Sequence, residues 1–130
     1  MKSFRFSMQA LLTLREQSEQ AAQRHFAQTL SACETIARRL QAVQAELQQL
    51  WNRCRTELQA AVCVQEIERL HAYGRWLEER QLALEKEWRA ARQAMETARQ
   101  HMIRATQQRE VMEKHCYDNL ARIQNTFAHY

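Results

Sequence analysis

Residues 58–67 read Leu58-Gln59-Ala60-Ala61-Val62-Cys63-Val64-Gln65-Glu66-Ile67. On both sides of this stretch apolar residues recur every three or four positions, the period of an amphipathic helix. Upstream, stepping by seven from Phe26 gives Phe26, Cys33, Leu40, Leu47 and Cys54, the a positions of a heptad. The d positions are Ala22, Thr29, Ile36, Val43 and Leu50, so Thr29 alone breaks the apolar stripe. A seam sustained over more than four heptads predicts a coiled coil. Downstream, a second frame begins at Ile67 and runs through Gly74, Gln81, Trp88, Met95, Met102, Arg109, Cys116 and Ile123. Its d column reads Leu70, Leu77, Leu84, Ala91, Ala98, Ala105, Met112 and Asn119. The two frames do not join, because Cys54 and Ile67 are thirteen residues apart, one short of two heptads.

The quoted stretch therefore holds a register break. Val62, Cys63 and Val64 are its poorest helix formers, and Glu66 and Glu68 suit the first turn of a new helix. The turn is expected at about 61–65. The predicted fold is all-α: a long antiparallel two-helix coiled-coil hairpin, one domain over 1–130, with helix 1 at about 4–60 and helix 2 at about 66–127. A single continuous helix with a stutter is the alternative, and it would expose both stripes unless the chain dimerised.

Composition agrees. The chain has no proline and one glycine in 130 residues, so it lacks the turn chemistry of a many-element fold. Nineteen residues are alanine, and Gln, Glu, Arg and Leu supply most of the rest. The net charge of +4 comes from 19 basic and 15 acidic residues with the signs interspersed. That is the pattern of a solvated helical surface, with no basic block free of acids to grip nucleic acid. No apolar run approaches the ~20 residues that cross a bilayer, and Met1-Lys2-Ser3-Phe4-Arg5-Phe6 lacks a signal-peptide core. A cytoplasmic protein is expected. Cys33, Cys54, Cys63 and Cys116 show no CxxC spacing and read as free thiols.

A hairpin turning near residue 63 pairs positions whose numbers sum to about 125. Leu47 then faces Leu77, Phe26 faces the small Ala98, and Trp51 lands opposite Gly74. Gly74 is either a tolerated helix glycine or a hole cut for Trp51. The polar seam residues also fall together: Arg15 beside Glu110 or Glu113, and Arg109 beside Glu16 or Glu19. Such pairs cost stability and can fix register; the alternative is a seam that frays there.

Catalytic and metal-binding patterns are missing from the sequence. It has no glycine-rich phosphate loop, no HExxH and no nucleophile elbow. None of His25, His71, His101, His115 and His129 has a His or Cys partner at i+3 or i+4 to make a helical metal face. Neither cofactor nor metal is expected, and no enzymatic activity. The informative residues are apolar ones off the seam: Phe4, Phe6, Leu11, Leu14, Val111, Tyr117, Leu120 and Phe127. The hairpin gathers them where both termini meet, and an exposed apolar cluster of this kind marks a partner surface. Tyr73 and Trp76 form a lesser candidate toward the turn.

The opening Phe4-Arg5-Phe6-Ser7-Met8-Gln9-Ala10-Leu11-Leu12-Thr13-Leu14-Arg15-Glu16, with Ala21-Ala22 soon after, resembles the start of the FliJ/YscO family. Ile67, Leu70, Tyr73 and Leu77 after the break resemble its second helix. The family comprises coiled-coil stalk proteins of flagellar and injectisome type III secretion. The resemblance implies a hairpin like the γ stalk of rotary ATPases, whose terminal end enters the pore of a hexameric export ATPase. The other end would point to the export gate protein, with substrate chaperones as further partners. The implied ATPase-binding residues are Phe4, Phe6, Met8, Leu11, Leu12, Leu14 and Arg15, joined by Leu120, Ile123 and Phe127. Trp51, Tyr73 and Trp76 would face the gate or a chaperone. Arg15, Glu16, Glu19, Arg109, Glu110 and Glu113 would set register. The chain would sit at the cytoplasmic face of the secretion apparatus, peripheral to the membrane through its partners. Two readings from other classes stay open: a structural coiled-coil adaptor, and a basic coiled coil binding nucleic acid or an anionic surface.

Overall fold

The computed structural model describes residues 2–60 and 63–128, with side chains from Ser7 onward. Two helices account for nearly all of them: α1 (Lys2–Gln59) and α2 (Val64–Ala128). They pack antiparallel as an all-α helical hairpin. Among the described residues there is no strand.

The connection spans 60–63, and Ala61 and Val62 lie outside the described residues. The Ala60 N–H donates to the Thr56 carbonyl at 3.1 Å, closing the last turn of α1. The Cys63 carbonyl accepts from the Glu66 N–H at 3.1 Å and the Ile67 N–H at 3.4 Å, which makes Cys63 the capping residue of α2. Val64 and Gln65, read from the sequence as turn, thus open the helix. A β-branched residue is penalised mid-helix because its side chain meets the preceding turn. At the first helical position no such turn exists, so Val64 is tolerated there.

The burial pattern follows the two heptad frames. Every a and d position from Ala22 to Cys54 and from Ile67 to Ile123 is buried or half-buried. Extending the first frame backward adds Met8, Leu12 and Glu19, all half-buried, and Arg15, which alone of these is exposed. Contacts divide the chain into two compact units. The terminal unit is Met1–Thr29 with Met95–Tyr130; the turn-proximal unit is Leu30–Ala94.

Larger side chains fill the turn-proximal unit. Leu47, Leu50 and Leu77 form its apolar cluster, with Val43, Trp51 and Leu70 packed against it. Cys33, Cys54 and Leu84 are also buried there. Among the described residues of the terminal unit, the fully buried ones are all alanines: Ala22, Ala98 and Ala105. Small seam residues let helix backbones approach closely but bury little apolar area, so per turn this unit gains less from water exclusion. All four cysteines are free thiols, with Cys63 exposed.

Candidate partner-binding site

In the terminal unit α1 runs from its start past Met8, Leu12 and Arg15, while α2 passes Arg109, Cys116 and Ile123 in the opposite direction. Met8 and Cys116 meet across the seam, where the Cys116 thiol donates to the Met8 carbonyl at 3.9 Å. The Asn119 amide contacts the Met8 sulfur at 3.6 Å and the His115 Nε2 at 3.2 Å. Around this point the helices leave an open groove of about 530 Å³. Met8, Leu12, Leu120 and Ile123, expected at the partner surface, line it together with Gln9, Glu113, Cys116, Tyr117, Asn119 and Gln124. Leu11, Leu14 and Phe127 are 46%, 57% and 60% exposed. The Phe4 and Phe6 side chains lie outside the described residues.

A charged layer crosses the seam below the groove. The Arg109 guanidinium donates to Glu19 at 2.8 Å and to Glu113 at 2.7 Å, and lies 3.9 Å from Glu110. The two hydrogen-bonded carboxylates hold the Arg109 pKa above its ordinary value, the Glu19 bond contributing most. Arg15 departs from expectation: it reaches neither Glu110 nor Glu113 and donates to the Gln108 side-chain oxygen at 3.1 Å. Arg109 already occupies the carboxylates within reach. Glu16 is exposed and enters none of these bonds. Arg15 shares a second, shallower notch of about 300 Å³ with Arg104, Gln107, Gln108, Val111 and Met112.

The turn-proximal unit presents aromatics. Trp51 is half-buried over Gly74 and meets His71 at a ring separation of 5.6 Å. Tyr73 and Trp76 stack at 5.8 Å and are 42% and 55% exposed. The Tyr73 hydroxyl donates to the Glu46 carboxylate, and that hydrogen bond raises its pKa above 10.0.

Sequence reasoning missed Arg104 and Gln108. At exposed positions they look like ordinary surface polarity. The available signal was that Arg104 has no acid at i±3 or i±4, where an exposed helical arginine commonly finds one.

Among the described residues no helix is long and apolar enough to cross a membrane. No group of three or more His, Cys, Asp or Glu among them could hold a metal ion. Compared with known families, the chain matches the model described as Flagellar FliJ protein over residues 4–115.

The chain belongs to the FliJ family.

No curated protein and no solved structure gives a significant match. FliJ-family membership places the chain in flagellar type III export, in a family of structural, non-catalytic components. The matched range takes in α1 from Phe4 onward and α2 as far as His115, and so includes Arg15, Arg104, Arg109 and the stacked aromatics.

Proposed function

We propose that this FliJ-family chain is the non-catalytic stalk of the type III export apparatus. Its terminal unit binds in the pore of the hexameric export ATPase and promotes assembly or activity of that ring. ATP hydrolysis belongs to the partner. The turn-proximal unit, through Trp51, Tyr73 and Trp76, faces the export gate, with substrate chaperones as further partners. The chain works at the cytoplasmic face of the apparatus, held at the membrane through those partners. Of the six polar residues expected to set the register of the terminal unit, Arg109 does so through Glu19 on α1, held in place by Glu113.

The observation that carries this reading is the apolar surface of the terminal unit. Leu11, Leu14, Leu120 and Phe127 are exposed, and Leu120 also lines an open groove between α1 and α2. A pair of helices has no third layer to cover them, and an apolar patch left to water marks a partner surface.

Changing Leu11 and Leu14 to Asp tests it. Both side chains already face water, so the helix survives, as circular dichroism should show. Binding to the export ATPase should weaken by at least about tenfold, the effect of charging an apolar contact. ATPase stimulation and export should fall with it. Retention of both in the double variant would show that these leucines do not contact the ATPase.

A further inference from the structure

The terminal unit has two sides, and they differ in chemistry. Heptad positions e and b flank one side of the seam, g and c the other. The apolar groove lies on the e side, where Gln9, Glu113 and Leu120 occupy e. On the g side, α1 places Leu11 at g and Leu14 at c, and α2 places Gln108 at g with Arg104 and Val111 at c. The notch that holds Arg15 and Arg104 opens here.

Carboxylates are unevenly shared among the arginines of this unit. Arg109 holds Glu19 and Glu113. Arg15, one helical turn from Glu19, is left with the Gln108 amide oxygen. Arg104 has Gln100, His101, Gln107 and Gln108 as its helical neighbours and enters no ion pair among the described residues. Two guanidinium groups therefore line one notch with no carboxylate between them, and each keeps free N–H donors in the fork that matches a carboxylate. Val111, on the same notch, is 69% exposed.

We propose that this notch recognises an acidic side chain carried on an amphipathic segment of a protein partner. A Glu or Asp carboxylate lodges between Arg15 and Arg104, and a neighbouring aliphatic side chain covers Val111. The proposal rests on the terminal unit being the partner-binding part of the stalk, and it adds the chemistry by which that unit selects its partner segment. A nucleic-acid or lipid surface fits less well. It presents a row of phosphates that needs a row of cations, whereas the lining of this notch offers two, Arg15 and Arg104, among Gln107, Gln108, Val111 and Met112. Val111 would gain nothing against phosphate.

Arg109 is a positioning residue for this site. While it holds Glu19, Arg15 stays unpaired. Without it, Glu19 is released at i+4 spacing from Arg15 and competes for the same guanidinium.

The test uses the full chain and fluorescence anisotropy with four labelled probes. These are a Leu/Glu amphipathic peptide, its Leu/Gln counterpart, a single-stranded oligonucleotide and a phosphatidylglycerol vesicle. The Glu peptide should bind best. Arg15→Gln and Arg104→Gln should each weaken it about tenfold, the loss of a charge-assisted hydrogen bond. Arg24→Gln, an equal change in charge at an exposed position elsewhere on α1, should leave binding unchanged. Arg109→Gln should weaken binding, and adding Glu19→Gln to it should restore it, a rescue that a merely structural role for Arg109 would not give. Equal losses from Arg15→Gln and Arg24→Gln, equal binding of the Gln peptide, or tighter binding of oligonucleotide or vesicle would each overturn the proposal. The same proteins are then tested against the export ATPase. Peptide binding through the notch without any ATPase binding overturns the stalk reading and leaves the notch. ATPase binding that is lost in the Leu11/Leu14 variant, with peptide binding indifferent to Arg15 and Arg104, overturns the notch and leaves the stalk.

Discussion

A methyl group on Gly74 would stand 2.6 Å from the Trp51 Cη2 and 3.1 Å from the Leu50 Cδ2. The indole is rigid and packed against the apolar cluster, so the whole ring must shift to admit the methyl. Gly74 is therefore a hole for Trp51, the sharper of the two readings its sequence position allowed. Gly74→Ala brings a helix-propensity gain of about 1 kcal/mol, against an overpacking penalty of about 1–3 kcal/mol. We expect a net loss of stability in urea melts, reversed when Trp51→Leu empties the space. A stabilised single variant would show that the ring has room to move. One residue away, the Tyr73 phenol donates to Glu46, which favours the protonated phenol in the folded state. Its pKa is raised, so the stabilisation is complete below about pH 10 and is lost as pH rises through the folded-state value. In an absorbance titration of tyrosinate, one of the three tyrosines should titrate late, and Tyr73→Phe should remove that component. An unchanged late component would assign it elsewhere.

At the scale of the helix, the seam decides what a substitution costs. Leu77 and Leu82 sit five residues apart on α2, one 1% exposed and the other 64%. Leu77→Ala should lose about 2–5 kcal/mol in chemical denaturation, the transfer loss plus the cavity left behind. Leu82→Ala should stay within about 0.5 kcal/mol. Equal effects would mean that the α2 frame is misassigned. These frames were legible because apolar spacing reports directly which side of a helix excludes water, and Ala22 through Ile123 followed it. The start of α2 was less so. Val64 has a poor intrinsic propensity, and only the hydrogen bonds to the Cys63 carbonyl show it at a position where that propensity does not count.

For the molecule as a whole, the hairpin was readable from two frames that could not be joined and from a connection with poor helix formers. The pairing expected from it appears in both units, with Leu47 beside Leu77 in one and Met8 beside Cys116 in the other. The candidate surface was readable in part. Leu11, Leu14 and Leu120 declared themselves as apolar residues off or beside the seam. The partition of carboxylates among Arg15, Arg104 and Arg109 did not. Several arginines and acids within a few turns allow many pairings of similar spacing, and only side-chain geometry shows Arg109 holding two carboxylates while Arg15 has none. The heptad seam also bears on how such a chain can change in length. Deleting one residue inside α1 would rotate everything beyond it by about 100° and turn the apolar stripe to water. Seven residues could be added to one arm only if seven were added to the other, or every facing pair beyond the insertion would be mismatched. Length changes in this protein should therefore come in matched heptads, with the connection at 60–63 as the natural place for any other number.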